Sequence, residues 1–224
     1  MPKILIIIPA YNEEKMIGKV ILDIKKEGYK NIVVVDDGSV DKTFDVAKKA
    51  GATVLRHVLN LGQGAAIETG LEYCRKINAD IVVTYDADGQ FRAFEIKKVI
   101  QPILDKKVHV VLGSRFLGKT VNMPFLKKLT LKGAIFFTDI FSNIKLTDTH
   151  NGFRAFSKNA LNKIFINHSG MAHASDIIDQ IKRYNLRYQE APVTVLYTDY
   201  SLKKGQSILN SIKIVLDLLF EKLK

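Results

Sequence analysis

Ile81-Val82-Val83-Thr84-Tyr85-Asp86-Ala87-Asp88-Gly89-Gln90 decides how the chain is read, because an apolar β-branched run ends in two carboxylates and an amide. A buried strand that delivers carboxylates at its end must give them a partner. Strand side chains alternate, so Asp86 and Asp88 are expected to leave on the same side and hold one divalent cation between them. Asp and Gly are also common turn formers, so Asp-x-Asp alone carries little. Four other short segments supply the context.

Further apolar runs at Ile4 to Ile8, Ile32 to Val35, Val54 to Leu55 and Val108 to Leu112 alternate with helical patterns. Such alternation predicts an α/β fold with a mostly parallel central sheet flanked by helices. After Pro9, Asn12 is the expected N-cap of a helix with the apolar stripe Ile17, Val20, Ile21 and Ile24, ending near Gly28. Similar helices are expected after Asp41, Gly64 and Ala93. Beyond Thr120 the alternation fades into a helix over Phe125 to Phe141, a loop through Asp148, a helix near His173 to Tyr184 and a strand around Tyr188 to Leu196. Ser207 to Leu223 reads as an amphipathic helix that docks on the domain, rests on a membrane surface or makes a homodimer.

The 224 residues, 47% of them hydrophobic, suffice for one domain with a substantial core. Within it, residues 1–118, where strands and helices alternate strictly, 119–206, where the alternation fades, and 207–224, the terminal helix, are the expected parts. A formal charge of +11 favours anionic partners without choosing among them. No basic block interleaved with aromatics and no zinc-finger or RNA-recognition motif is present, so nucleic acid is not an expected partner. Cys74 is the only cysteine, which excludes an intrachain disulfide and suits a reducing cytoplasm, with the thiol buried as a structural element. The first apolar run is too short for a signal segment, and nowhere do eighteen apolar residues run together. The expected location is cytoplasmic, peripheral at the inner face of the membrane.

In open parallel sheets, ligands bind beyond the carboxyl ends of the strands. The polar segments Pro9-Ala10-Tyr11-Asn12-Glu13, Asp36-Asp37-Gly38-Ser39 and Asp86-Ala87-Asp88 fall there. Asp36 and Asp37 are suited to accept hydrogen bonds from a base or ribose. Asn60-Leu61-Gly62-Gln63-Gly64 opens a helix, and Gly62 and Gly64 would let backbone approach a nucleotide.

Together with Gly113-Ser114-Arg115, these segments resemble, in order and spacing, the family 2 glycosyltransferases, inverting enzymes of the GT-A (nucleotide-diphospho-sugar transferase) fold. The nearest branch resembles the polyprenyl-phosphate (dolichol-phosphate) mannose and glucose synthases, whose Asp-x-x-x-Gly-Phe pattern stands here as Asp148-Thr149-His150-Asn151-Gly152-Phe153. The resemblance implies a nucleoside contact by Pro9, Ala10, Tyr11, Glu13 and Asp37. It implies Mg²⁺ or Mn²⁺ held against the donor diphosphate by Asp86, Asp88 and Gln90, with Ala87 between them. Arg115 matches the arginine that contacts the acceptor phosphate, and Lys127 or Lys128 stands where that branch carries a second arginine. Tyr200 to Ser207 resembles a mobile loop that closes on the diphosphate, with Lys203 or Lys204 as its charge and Gly205 as its hinge.

The expected reaction moves a sugar from a UDP- or GDP-sugar to a polyprenyl phosphate, with a saccharide hydroxyl as the alternative acceptor. A hydroxyl needs a general base and an ionised phosphate does not. Asp176, in His173-Ala174-Ser175-Asp176, lies near where many family members carry that base. Asp148 and Arg154 are further acceptor-side candidates, as are His150 and His173, while His57, His109 and His168 receive no role. A nucleotidyltransferase would place a Gly-rich phosphate loop after the first strand, where Pro9-Ala10-Tyr11-Asn12-Glu13 stands instead. A non-catalytic sugar-nucleotide module, the remaining alternative, would have no need of both Asp86 and Asp88.

Overall fold

A computed structural model describes residues 2–142, 144–170 and 173–204. Its seven strands are β1 (Ile4–Ala10), β2 (Ile32–Asp36), β3 (Thr53–Arg56), β4 (Ile81–Thr84), β5 (Val110–Val121), β6 (Arg154–Ser157) and β7 (Tyr188–Leu196). They form one sheet in the order β3-β2-β1-β4-β6-β5-β7. All neighbours are parallel except β6, which runs antiparallel between β4 and β5. Two reversals restore direction, so β5 leaves the sheet at the same end as β1 to β4.

Eight α-helices, with a 3₁₀ turn at Ala93–Glu95, flank the sheet among the described residues: α1 (Ile17–Lys26), α2 (Thr43–Lys49), α3 (Gln63–Lys76), α4 (Ile96–Leu104), α5 (Phe125–Ser142), α6 (Lys158–Leu161), α7 (His173–Arg183) and α8 (Asp199–Lys204). The apolar runs are continuous because the sheet is covered on both faces. Ile6, Ile8, Val34 and Val83 pack on one side with α1 and α4, and Leu5, Ile7, Val33 and Val82 on the other with α3 and α7. Cys74 is buried in the second layer, where burial pushes its thiol up to about 12.

Four expectations change. Asn12 does not cap α1: it adopts φ 55°, its Oδ1 accepts from Val40 N–H at 2.9 Å, and the helix starts at Ile17, whose N–H donates to Glu13 O. An Asn with a short amide side chain stitches two loops there instead. Strand β5 runs nine residues past Leu112, with an irregularity between Ser114 and Lys119, so the expected boundary at residue 119 lies inside a strand of the common sheet. Strand β6 was not expected, since Arg154-Ala155-Phe156-Ser157 is short and begins with a charge; two neighbouring strands impose its conformation. Asp199–Lys204 is helical where a loop was expected, and Gly205, Ser207 and the expected helix over 207–224 lie outside the described residues.

Candidate active site

Strand β4 stops at Thr84, whose Oγ1 donates to Gly152 O at 2.6 Å, and Asp86 and Asp88 sit in the turn beyond it. The two carboxylates therefore meet through the turn rather than through strand alternation. Both are half-buried, and both are held above the ordinary carboxylate range, first by burial. Asp86 adds to the shift at Asp88, and Glu13 adds to both. Asp88 Oδ1 accepts from Gln90 N–H at 3.0 Å, and Gln90 O receives Leu196 N–H, which ties the turn to β7.

Asp86 lies against Gly152, where a Cβ would stand 2.5 Å from Oδ1 and 2.7 Å from Oδ2. Arg154 is paired in register with Thr84 and, like Arg115, exerts a compensating field on Asp86. Burial is deep enough to bring the Arg154 guanidinium down to about 10. Two hard carboxylate oxygens on a compensated floor suit Mg²⁺ or Mn²⁺. Among the described residues no three Asp, Glu, His or Cys side chains form a complete cage. The donor set therefore fits a cation that is not caged by protein side chains alone.

Arg115 and Lys127 also act on this pair. Arg115 is buried, donating through Nε to Asp148 Oδ2 at 2.6 Å, through Nη1 to Tyr197 OH at 2.8 Å and through Nη2 to His150 O at 3.1 Å. Its fork is thus committed to protein partners on three nitrogens. Asp148 Oδ2 also accepts from Arg115 N–H and from Asn151 Nδ2, while its buried Oδ1 has no hydrogen-bond partner among the described residues. Glu190 holds this corner from β7, accepting from the backbone N–H groups of Thr147 and Asp148. The structure separates the two candidate lysines. Lys127 is half-buried with Nζ 5.3 Å from the centre of the Tyr197 ring and within the field of Asp88, whereas Lys128 is exposed.

On the nucleoside side, Pro9 and Ala10 lie inside β1 and Tyr11 stands 45% exposed at its end. The two aspartates expected to meet base or ribose are buried and engaged within the protein. Asp36 Oδ1 accepts from Ser39 N–H, and its Oδ2 lies 3.2 Å from Arg56 Nε. Asp37 accepts from Leu61 and Gly62 N–H at 2.9 and 2.8 Å and contacts His57 Nδ1 at 2.7 Å. His57 Nε2 is in turn 2.9 Å from Thr69 Oγ1, so a histidine that sequence reasoning left without a role orients Asp37. Gly62 and Gly64 serve a close approach, but to protein: added Cβ atoms would stand 2.5 Å from Ser169 O and 2.0 Å from His168 O. Ser169 O accepts the N–H groups of Gly64 and Ala65 at the start of α3.

Glu13 links this side to α8. Its Oε2 accepts from Tyr200 OH at 2.7 Å, and its Oε1 lies 3.1 Å from Lys204 Nζ, which also reaches Tyr11 O and Asn12 O. Lys203 is exposed and makes no comparable contact in the described residues. Asp176 is spent elsewhere: Oδ2 accepts from Asn167 N–H at 2.7 Å and His168 N–H at 3.4 Å, and Oδ1 from Gln180 Nε2 at 3.1 Å. It braces the segment that covers α3. His150 and His173 are both lowered to about 4, chiefly by burial.

Residues 5–165 match the family model described as Glycosyl transferase family 2. An uncharacterised protein of Methanocaldococcus jannaschii is 40% identical, over 99% of this chain and 93% of that one. The UDP-N-acetylglucosamine–dolichyl-phosphate N-acetylglucosaminyltransferase of Methanococcus voltae is 36% identical, over 98% of this chain and 96% of that one. Among solved structures, glucosyl-3-phosphoglycerate synthase of Mycobacterium tuberculosis, in complex with Mn²⁺, UDP-glucose and phosphoglyceric acid, superimposes with a TM-score of 0.74. That match covers 97% of this chain and 79% of that one at 20% identity.

Proposed function

The chain belongs to glycosyl transferase family 2 and is a glycosyltransferase of GT-A fold, and from that premise we propose that it moves a sugar, with inversion, from a nucleoside-diphosphate sugar to a polyprenyl phosphate. The observation that carries this reading is that the carboxylates Asp86 and Asp88 lie within the field of the cations Arg115 and Lys127. The carboxylates suit a cation-bound diphosphate and the cations a second anion. A cation held by Asp86 and Asp88 would supply Lewis-acid stabilisation to the departing diphosphate.

The remaining work falls to the chain's own groups. Tyr11 offers an exposed aromatic face for a base at the end of β1, with Pro9, Ala10 and the loop fixed by Asp36 and Asp37 as the rest of that pocket. Lys204 is placed to exchange Glu13 for the donor phosphates. Lys127 is the cation assigned to the acceptor phosphate, and Arg115 is the buried pillar that orients Asp148 and His150. The acceptor phosphate is ionised and attacks without a base, which agrees with Asp176 being engaged on both oxygens. A saccharide hydroxyl would need that base. No described helix is long and apolar enough to cross a membrane, and we assign the protein to the cytoplasmic surface of the membrane that holds its acceptor.

The test is nucleoside-diphosphate release across UDP- and GDP-sugars with Mn²⁺ or Mg²⁺, each with and without a short-chain polyprenyl phosphate. UDP-N-acetylglucosamine comes first, as the donor in the name of the 36% identical relative. Lipid-stimulated release that is lost with chelator and in Asp88→Ala is expected. Release stimulated only by saccharides would reject the acceptor assigned here.

A further inference from the structure

Tyr197, just beyond β7, touches both Arg115 and Lys127. Its hydroxyl accepts from Arg115 Nη1 at 2.8 Å, and Lys127 Nζ lies over its ring, 5.3 Å from the centre. The residue is firmly held. It is 1% exposed, packs in the core layer of Phe153 and Val195, and donates its N–H to Val121 O at 2.9 Å, while its neighbour Leu196 donates to Gln90 O in the turn of the carboxylate pair. Lys127 sits less comfortably: burial, and after it the field of Arg115, hold its ammonium below the usual range.

The two cations differ in how their charge is balanced. Arg115 has Asp148 Oδ2 at 2.6 Å, whereas Lys127 takes part in no ion pair among the described residues. A half-buried ammonium loses hydration that something must replace. The electron-rich face of an aromatic ring replaces it in part, attracting the cation without cancelling its charge. A carboxylate in the place of Tyr197 would pair with Lys127 and neutralise it. We infer that Tyr197 is a positioning residue whose ring holds Lys127 with its charge left open for the acceptor phosphate, an inference that rests on the polyprenyl-phosphate reading and names what places its cation. The ring serves Lys127 and the hydroxyl serves Arg115. Lys127 also acts on Asp88, so an anion drawn to it stands near the carboxylate pair.

Tyr197→Phe keeps the ring and gives up the bond to Arg115, and Tyr197→Leu gives up both. With a short-chain polyprenyl phosphate, the acceptor KM should stay within about threefold of the wild type in Tyr197→Phe and rise about tenfold or more in Tyr197→Leu. The donor KM and the half-saturating Mn²⁺ concentration should stay within about twofold in both variants. In a Lys127→Ala background, Tyr197→Leu should raise the acceptor KM no further. A second readout needs no turnover. The lysines of the full-length protein are reductively methylated with isotope-labelled formaldehyde, and the Lys127 methyl resonance is assigned by its loss in Lys127→Arg. The ring current should move that resonance upfield in the wild type and in Tyr197→Phe, and Tyr197→Leu should return it to the position of the exposed lysines. A wild-type Lys127 resonance already at that position overturns the inference. So does a donor KM that rises with the acceptor KM in Tyr197→Leu, or an effect of Tyr197→Leu that persists in full without Lys127. An upfield Lys127 resonance in a protein that turns over only saccharide acceptors would reject the acceptor reading and leave the placement of Lys127 by Tyr197 standing.

Discussion

Gly152 forms the floor under Asp86: its backbone lies so close that a Cβ would stand 2.5 Å from Oδ1 and 2.7 Å from Oδ2 of that carboxylate. The glycine of the Asp-x-x-x-Gly-Phe pattern is thereby explained by a contact 66 residues away along the chain. Gly152→Ala should displace Asp86 while leaving a backbone conformation alanine tolerates. We expect turnover to fall on the order of a hundredfold and the half-saturating Mn²⁺ concentration to rise, with little change in melting temperature. Cation affinity like that of the wild type would show that Gly152 does not position Asp86.

Asp88 and Asp86 are raised to about 7 and about 6 from 3.8, by burial first. Groups raised on folding favour the folded state while protonated, and that contribution is lost as pH rises through the folded values. The metal-free protein should therefore soften between about pH 4 and pH 7, and Mn²⁺ should raise its melting temperature more at the upper end. Asp88→Asn should melt above the wild type without metal at the upper end, yet lose turnover by orders of magnitude. Calorimetry with and without chelator reads both effects.

His173 shows the opposite linkage. Its value drops from 6.5 to about 4, mainly through burial, so the unfolded chain binds the proton more readily. Stability from the neutral ring is complete above about 6.5 and drains away as pH falls toward 4, by about 3 kcal/mol at most. His173→Gln should flatten the decline in melting temperature between about pH 7 and pH 5. A decline as steep as that of the wild type would exclude His173 as a source.

Glu13 joins Tyr200 and Lys204, so α8 is held on the donor side by one carboxylate. Tyr200→Phe should cost about 1 kcal/mol, and Lys204→Ala should raise the donor KM by about tenfold. Through their shared partner the two changes should couple by about 0.5 kcal/mol or more in donor binding. Simple additivity would mean that α8 is not held through Glu13.

Asp176→Ala separates the two acceptor classes. Bracing of Asn167 and His168 predicts a lower melting temperature with polyprenyl-phosphate turnover kept within about threefold. A loss on the order of a hundredfold or more, without loss of structure, would return Asp176 to the role of base.

The sequence by itself determined the sheet, the helices flanking it and the family. Runs such as Ile4 to Ile8 and Ile32 to Val35 declare two-sided burial, and the stripe of Ile17, Val20, Ile21 and Ile24 declares a helix, because burial repeats with the local period of each element. The site was legible as a set of segments. Only the tertiary structure decided what each member of a segment contacts: Lys127 rather than Lys128 lies over Tyr197, Lys204 rather than Lys203 meets Glu13, and Asp37 holds the backbone of Leu61 and Gly62. It also supplied His57 and Glu190, for which no local pattern speaks, and the contact with Asp86 that explains Gly152. Arg115 and Asp148 are 33 residues apart, Thr147 and Glu190 43, and Glu13 and Tyr200 187. A polar side chain's role is set by the partner that satisfies it once water is gone, and at such separations that partner is chosen by how the strands are ordered, not by neighbours in the chain.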